Sequence, residues 1–434
     1  MSTPRGNEWH LLDPAPIGSL EATMSVSVVI PTRGGGPRLE RLLRSIANQT
    51  YPTDLLEIVV TDDASEPPLE FPATIGDVAI TTVRCEDDGR FGAGKARNAG
   101  ARSATGDIIV FLDADVLAGP TAIEAIARWF HVAPYAMVTG RLDFFDDEPL
   151  ADRLDTAIGD GTLGSLLEGV ASDDQHYREN TFRRTFDLTV DHPDLFRVVI
   201  GAVMGVSRAM HEEIGGLREL GIRGIEDIEY GYRLHTAGAL LVLEREARLW
   251  HQGRRHFDSK RAAQTKIDRA PFMQDLMAAP TFREPPKSAP TVPTVMIDCC
   301  GLADPDPVIA SVLATGDHDV VCLVDTTGSD DPRVRTRTQM SDVDLAAVPY
   351  RCRPMTDVRF ERDAFSLIVE QMRDDMLGVV HVVDVDGEEI LEVTSTRATG
   401  RARYAGASDD QVVAEAGRRF GAWWVPAADL GVTG

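Results

Sequence analysis

The sequence predicts an α/β chain in which a mixed sheet with helices on both faces is followed by a smaller α/β domain. Three observations carry this. Short β-branched runs alternate with segments of helical period from Ser25 onward. The runs end on proline, glycine or aspartate, where strands give way to loops. A proline-rich passage, Pro280 to Thr294, interrupts the pattern, which then resumes. The expected organisation is a flexible leader over 1–24, a first domain over 25–279, a linker over 280–294 and a smaller domain over 295–434.

The elements of the first domain follow in order. SVSVVIPT, Ser25 to Thr32, reads as a buried strand, and PRLERLLRSIANQT places Leu39, Leu42, Leu43 and Ile46 on one helical face behind Pro37. A second strand runs from Leu55 to Thr61 and ends on Asp62 and Asp63; VAITTVRCE supplies a third. GAGKARNAGARSAT reads as a helix entered through glycines, and DIIVFLDAD as the next strand. The stretch from Asp143 to Asp194 has weak periodicity and reads as an insertion, a wall or lid on the acceptor side. FRVVIGAVMGV, from Phe196, reads as a strand, IEDIEYGYRLHTAG as a helix and ALLVLEREARLWHQG as a returning strand; a polar helix over His256 to Arg269 closes the domain. In such sheets ligands gather beyond the carboxyl ends of the strands.

Composition narrows the function. The formal charge is −25, from 69 acidic and 44 basic residues in 434, and no basic block offsets it, which argues against nucleic acid and anionic membrane as partners. No run approaches the roughly 18 apolar residues of a spanning helix, and the N-terminus lacks a signal-peptide pattern. A soluble, cytoplasmic protein is expected. The five cysteines, an odd number that includes the adjacent Cys299 and Cys300, fit reduced thiols; that pair is expected at a buried strand end.

Three constellations carry chemistry. Asp113 and Asp115 lie on the same side if the strand continues through them, and two carboxylates at an open strand end suit Mg2+ or Mn2+. Lys95, Arg97 and Asn98 follow Gly92 and Gly94 on the first turns of a helix, where free amides and cations attract phosphate. Glu226 and Asp227, behind Gly221 and Gly224, enter a helix where a carboxylate can act as general base; Asp227 is favoured, with Glu226 and Glu229 in support. His251 follows an apolar strand and suits a divalent cation, with His256 a second candidate.

Taken together, VSVVIPT, VVTDDAS, GKARNAG, FLDAD, EIGGLRE and GIEDIEYGYRLHTAG with its following histidine resemble the inverting family 2 glycosyltransferases of GT-A fold over Ser25 to Arg269. The resemblance implies a hexosyltransferase-type enzyme that transfers sugar from a nucleotide-diphosphate donor. It implies that Pro31, Thr32, Asp62 and Asp63 hold base and ribose, and that Lys95 and Arg97 face the donor. It further implies Asp113 on ribose and metal, Asp115 and His251 on the metal, and Asp227 as the base. GAVMGVSRA, Gly201 to Ala209, departs from the family's acceptor segment at Val203, and no QxxRW stretch is present. Two other readings stay open: a sugar-phosphate nucleotidyltransferase using PTRGGGPR, and a noncatalytic nucleotide-sugar-binding module.

Beyond the linker, TVMIDCCGLADPDP to VVCLVDTTGSDD repeats the coarse pattern of the first strand–helix–strand unit, and VVHVVDVDGEE matches FLDAD, with Asp384 and Asp386 in the paired positions. A degenerate second GT-A-like unit is one reading and chance similarity the other. Without counterparts to Lys95, Arg97 and Asn98, this part is expected to scaffold, regulate or support a homo-oligomer.

Overall fold

The computed structural model describes residues 4–90, 92–170, 176–253 and 259–434. The chain forms two compact units, one of Asn7–Gly231 with Leu240–Thr265, the other of Met1–Gly6, Tyr232–Ala239 and Lys266–Gly434.

The first unit holds nine strands: β1 (Val26–Thr32), β2 (Leu56–Asp63), β3 (Thr74–Ile75), β4 (Val78–Cys85), β5 (Ile108–Leu112), β6 (Val116–Ala118), β7 (Ala136–Phe145), β8 (Val203–Ser207) and β9 (Leu240–Gln252). They form one sheet in the order β3-β4-β2-β1-β5-β8-β7-β9-β6. The sheet is mixed, as expected. β4, β2, β1 and β5 run parallel, while β8 is antiparallel to both β5 and β7. All five residues of β5 are fully buried, which is why that segment shows no alternation. Parallel register brings the ends of β1, β2 and β4 to one rim, with Thr32 opposite Asp62 and Asp62 opposite Arg84. The helix Ala93–Ser103 lies close over these strands, because a Cβ on Gly100 would stand 2.4 Å from Val29 Cγ1.

The weakly periodic stretch is helical, with Ala151–Gly159, Leu163–Leu167 and His176–Arg184. Leu154, Ile158, Leu163 and Leu167 pack with Leu117, Phe145 and Trp250. Residues 196–198, expected to be strand, belong to a 3-10 turn, Leu195–Val198, and the strand starts only at Val203. Gly201 and Ala202 interrupt the apolar run, and β-branched composition alone did not reveal the break. Near the N-terminus, in the stretch read as a leader, Asn7 is fully buried and its amide donates to the Leu188 and Leu241 carbonyls.

The second unit contains β10 (Val295–Asp298), β11 (Val320–Val324), β12 (Val334–Thr336), β13 (Tyr350–Pro354), β14 (Arg359–Phe360), β15 (Val379–Val383), β16 (Glu389–Ser395), β17 (Ala422–Pro426) and β18 (Val432–Thr433). Its main sheet is ordered β12-β11-β10-β13-β16-β15-β17. With β3 and β6 set aside, this matches β4-β2-β1-β5-β8-β7-β9 strand for strand in chain order. Every neighbouring pair also keeps its direction, including the antiparallel β16 between β13 and β15. The counterpart of β5 is therefore β13, which is followed by Met355, Thr356 and Asp357. Asp384 and Asp386 are not equivalent to Asp113 and Asp115. They sit in the hairpin turn between β15 and β16, where Asp384 accepts from the Asp386 and Glu388 amides.

Cys299 is buried, whereas Cys300 is exposed just past β10; all five cysteines are free. Arg401, fully buried in this unit, donates to the carbonyls of Pro4, Gly6, Gly238 and Ala239 and so ties distant stretches of chain together.

Candidate active site

β5 stops at Leu112, and a turn follows in which the Val116 amide donates to the Asp113 carbonyl at 3.0 Å. The premise of a continuing strand fails, so strand alternation does not align Asp113 with Asp115. Asp113 accepts from Arg97 Nη2 at 2.7 Å. Asp115 faces His251, with Oδ2 and Nε2 3.2 Å apart. His251 is held by the pairing of β6 with β9, lies opposite Val116, and stacks on Phe144 with ring centres 4.5 Å apart. It is the penultimate residue of β9 rather than a residue beyond it. Burial pushes the Asp115 carboxyl up, His251 opposes this, and Asp113 adds to it.

A carboxylate oxygen and an imidazole nitrogen already facing each other form a donor set that a divalent cation of the Mn2+ type accepts. Asp113 is the third candidate, although the three groups are not drawn within 4.8 Å of one another. His256 lies outside the described residues.

Gly201 joins the constellations. Its amide donates to Asp227 Oδ2 at 3.3 Å, and the neighbouring Ala202 carbonyl accepts from the Asp113 amide at 3.4 Å. The Arg97 guanidinium lies directly over its Cα: an added Cβ would meet Nη2 at 2.2 Å. Glycine is required here by space, since any side chain would enter the Arg97 site. Arg97 is only 6 % exposed, and its Nε is buried without a hydrogen-bond partner. Asp227 also accepts from its neighbour's amide, Ile228, at 3.0 Å. Arg97 and Asp227 therefore meet at Gly201, and Asp113 joins them through Arg97 and the Ala202 carbonyl.

The remaining candidates divide. Glu226 is 3 % exposed and takes the Gly94 amide at 2.8 Å, so the protein's own carboxylate occupies the helix N-terminus that was expected to face phosphate. Burial pushes the Glu226 carboxyl up to about 7, against the Gly94 amide and Arg97. Glu229 is fully buried and paired with Arg218 at 2.8 Å, a structural role. Lys95 reaches the Glu86 carbonyl and Asp88 rather than Asp113. Asn98 clamps the next loop, donating to the Leu217 carbonyl and accepting from the Leu217 amide.

At the other end of the rim, Asp62 is 1 % exposed and accepts from the Ser65 and Leu69 amides and from Arg84. Burial raises it, but these bonds outweigh burial and hold it below the ordinary carboxylate value. Asp63 packs on Gly92 and is pushed up by burial, with Lys95 and Arg33 opposing. Pro31 is half-buried, and Thr32 hydroxyl donates to the Gly34 carbonyl.

Arg178 was missed in the sequence. It is 2 % exposed on the helix His176–Arg184 and donates to the Val198 carbonyl and the Thr139 hydroxyl. Burial lowers its guanidinium to about 10, while Tyr177, Glu179 and Asp227 oppose that change. Its stretch has no periodicity to mark an inward-facing cation.

Compared with known proteins, residues 27–215 match the family described as Glycosyl transferase family 2. The chain is 30% identical over 230 residues to validoxylamine A glucosyltransferase of Streptomyces hygroscopicus subsp. jinggangensis, covering 51% of this chain and 54% of that protein. It is 27% identical over 273 residues to pre-mycofactocin glycosyltransferase of Mycobacterium tuberculosis, covering 62% of this chain and 50% of the other. The chain thus spans about half the length of these curated relatives. Among solved structures, the mannosyltransferase PcManGT from Pyrobaculum calidifontis, in complex with GDP-Man and Mn2+, is similar with a TM-score of 0.41 and 21% identity, covering 63% of this chain and 70% of that one. Among the described residues, no helix is long and apolar enough to cross a membrane.

Proposed function

We propose, because residues 27–215 match the family described as Glycosyl transferase family 2, that the protein is an inverting glycosyltransferase that moves a hexosyl group from a nucleotide-diphosphate sugar to an acceptor hydroxyl. The observation that carries the reading is the convergence on Gly201: a buried, partly unsatisfied Arg97 on Asp113, with Asp227 held by the Gly201 amide. Pro31, Thr32, Asp62 and Asp63 line the rim assigned to base and ribose. Arg97, backed by Lys95, faces the anionic donor. Asp227 takes the proton of the attacking hydroxyl, so that a single displacement inverts the anomeric centre. Glu226, fixed on Gly94, shapes the entrance to the helix beside it. A divalent cation held by Asp115 and His251, with Asp113, supplies positive charge for the leaving diphosphate when bound.

The C-terminal unit, with the same strand order but no acidic pair after β13, serves in this reading as a scaffold or a homo-oligomer contact. The enzyme acts in the cytoplasm.

Incubating the purified protein with UDP-, GDP- and dTDP-sugars, with and without Mn2+, tests the reaction class. Release of nucleoside diphosphate is expected; release of pyrophosphate would indicate nucleotidyl transfer, and binding without either product a noncatalytic module.

A further inference from the structure

The second unit carries a side-chain cluster that the proposed reaction does not use. His381 on β15 and Glu389 and Glu392 on β16 each offer a ligand atom, and these atoms all lie within 4.8 Å of one another, the one such set of three among the described residues. His381 Nδ1 is 2.7 Å from Glu389 Oε1. The three share a face because of a local irregularity. His381 stands opposite Glu392, and Val382 opposite Leu391, but Val383 stands opposite Glu389, so Ile390 is an extra residue in β16. In a regular strand, positions 389 and 392 would face opposite sides of the sheet. The bulge turns Glu389 back onto the side of His381 and Glu392, and bulges are a recurrent means of re-aiming a side chain.

The surroundings suit a cation. Two carboxylates this close repel each other unless a positive group lies between them. Among the described residues, the guanidinium shown at the cluster is that of Arg353, which is 60% exposed and donates to Glu392 Oε1 from Nη2 at 3.2 Å and from Nε at 3.3 Å, leaving the His381–Glu389 side of the cluster without it. The His381 ring is stacked on Trp424 of the neighbouring strand β17, with ring centres 4.2 Å apart and planes 17° from parallel. That contact fixes the imidazole plane, as supporting groups around metal ligands commonly do.

We propose that His381, Glu389 and Glu392 form a binding site for a divalent transition-metal ion of the Zn2+ or Co2+ type, separate from the Asp113–Asp115–His251 rim. One imidazole nitrogen and two carboxylate oxygens make a donor set for borderline cations, and three protein ligands leave a further coordination position for water or another group.

Trp424 makes the test specific, because bound Co2+ beside a stacked indole quenches its fluorescence. The full chain bearing D115N and H251A, which disables the other candidate site, is titrated with Co2+ alone and then competed with Zn2+. The expected result is saturable quenching that disappears in a W424F variant, together with one equivalent of Zn2+ retained in equilibrium dialysis. H381A and E389Q are each expected to weaken Co2+ binding at least about tenfold. E392Q, which keeps the shape of the side chain, is expected to do the same, and circular dichroism without metal shows whether each variant is folded. Unchanged Co2+ affinity in folded H381A and E392Q, or quenching that survives in W424F, would overturn the site and leave the cluster as an ion-pair network. Neither outcome bears on glycosyl transfer, which is read from nucleoside diphosphate release by the unmodified chain.

Discussion

Gly201→Ala is the most informative single change. The added methyl would lie 2.2 Å from Arg97 Nη2, 2.4 Å from Cζ and 2.8 Å from Nη1, so it meets the whole guanidinium rather than its tip. Non-bonded heavy atoms settle at about 3.5–4.0 Å, which requires a retreat of more than about 1 Å. Arg97 is 6 % exposed and bound to Asp113 at 2.7 Å, so the retreat breaks that pair or moves the Gly201 amide off Asp227. Overpacking of this kind costs about 1–3 kcal/mol of stability, a fall in Tm of roughly 2–10 °C for a domain of this size. A displacement of about 1 Å at reacting groups costs on the order of 100-fold in rate.

The assay is nucleoside diphosphate release from whichever donor the panel identifies, run beside calorimetric unfolding. Gly164→Ala, where nothing lies within 4 Å of the added carbon, is the control and should leave turnover unchanged. Adding Arg97→Lys to G201A removes the planar head that the methyl strikes, and Tm should recover while turnover stays low. A G201A protein with wild-type turnover and Tm would refute the convergence on Gly201.

Four further outcomes are expected. Asp227→Asn keeps donor binding and loses transfer, measured by calorimetric titration beside product release; wild-type turnover would remove Asp227 as the base. Asp115→Asn and His251→Ala each abolish the Mn2+-dependent part of donor affinity, and equal affinities with and without Mn2+ in all three proteins would count against a metal there. Glu226, raised to about 7 by burial, binds more protons folded than unfolded between about pH 4.5 and 7, so its contribution makes stability fall as pH rises through that window and level off above it. Glu226→Gln should flatten that slope, worth about 3 kcal/mol across the window, in urea titrations at a series of pH values. Asp62→Ala strands the Ser65 and Leu69 amides and should cost about 2 kcal/mol in the same measurement.

Much of this architecture was legible because it is periodic. The runs at Val26–Thr32 and Ile108–Leu112 and the helix at Pro37–Ala47 show themselves through apolar spacing alone. The acidic pairs were also legible, as unusual charges at the ends of apolar runs. What the sequence concealed depends on contacts across space. A strand and a turn look alike in FLDAD, so the different partners of Asp113 and Asp115, Arg97 and His251, were hidden. An acid after a strand marks a hairpin at Asp384 as readily as a strand end, which misplaced the second unit's counterpart of the DxD. Gly201 stood out only as the start of the segment compared with the family's acceptor region, with nothing to mark its contact with Arg97, and Arg178 gave no signal at all.

The matching strand order of the two sheets bears on how the polypeptide reaches its native state. Both sheets are wired alike, so a strand of one half has a geometrically acceptable seat in the other, a hazard typical of multidomain proteins. The difference between the halves is the safeguard: β5 is wholly apolar, whereas its counterpart β13 carries Arg351 and Arg353. Making the halves more alike would invite strand exchange during refolding, and so would slow recovery of the native protein and promote aggregation.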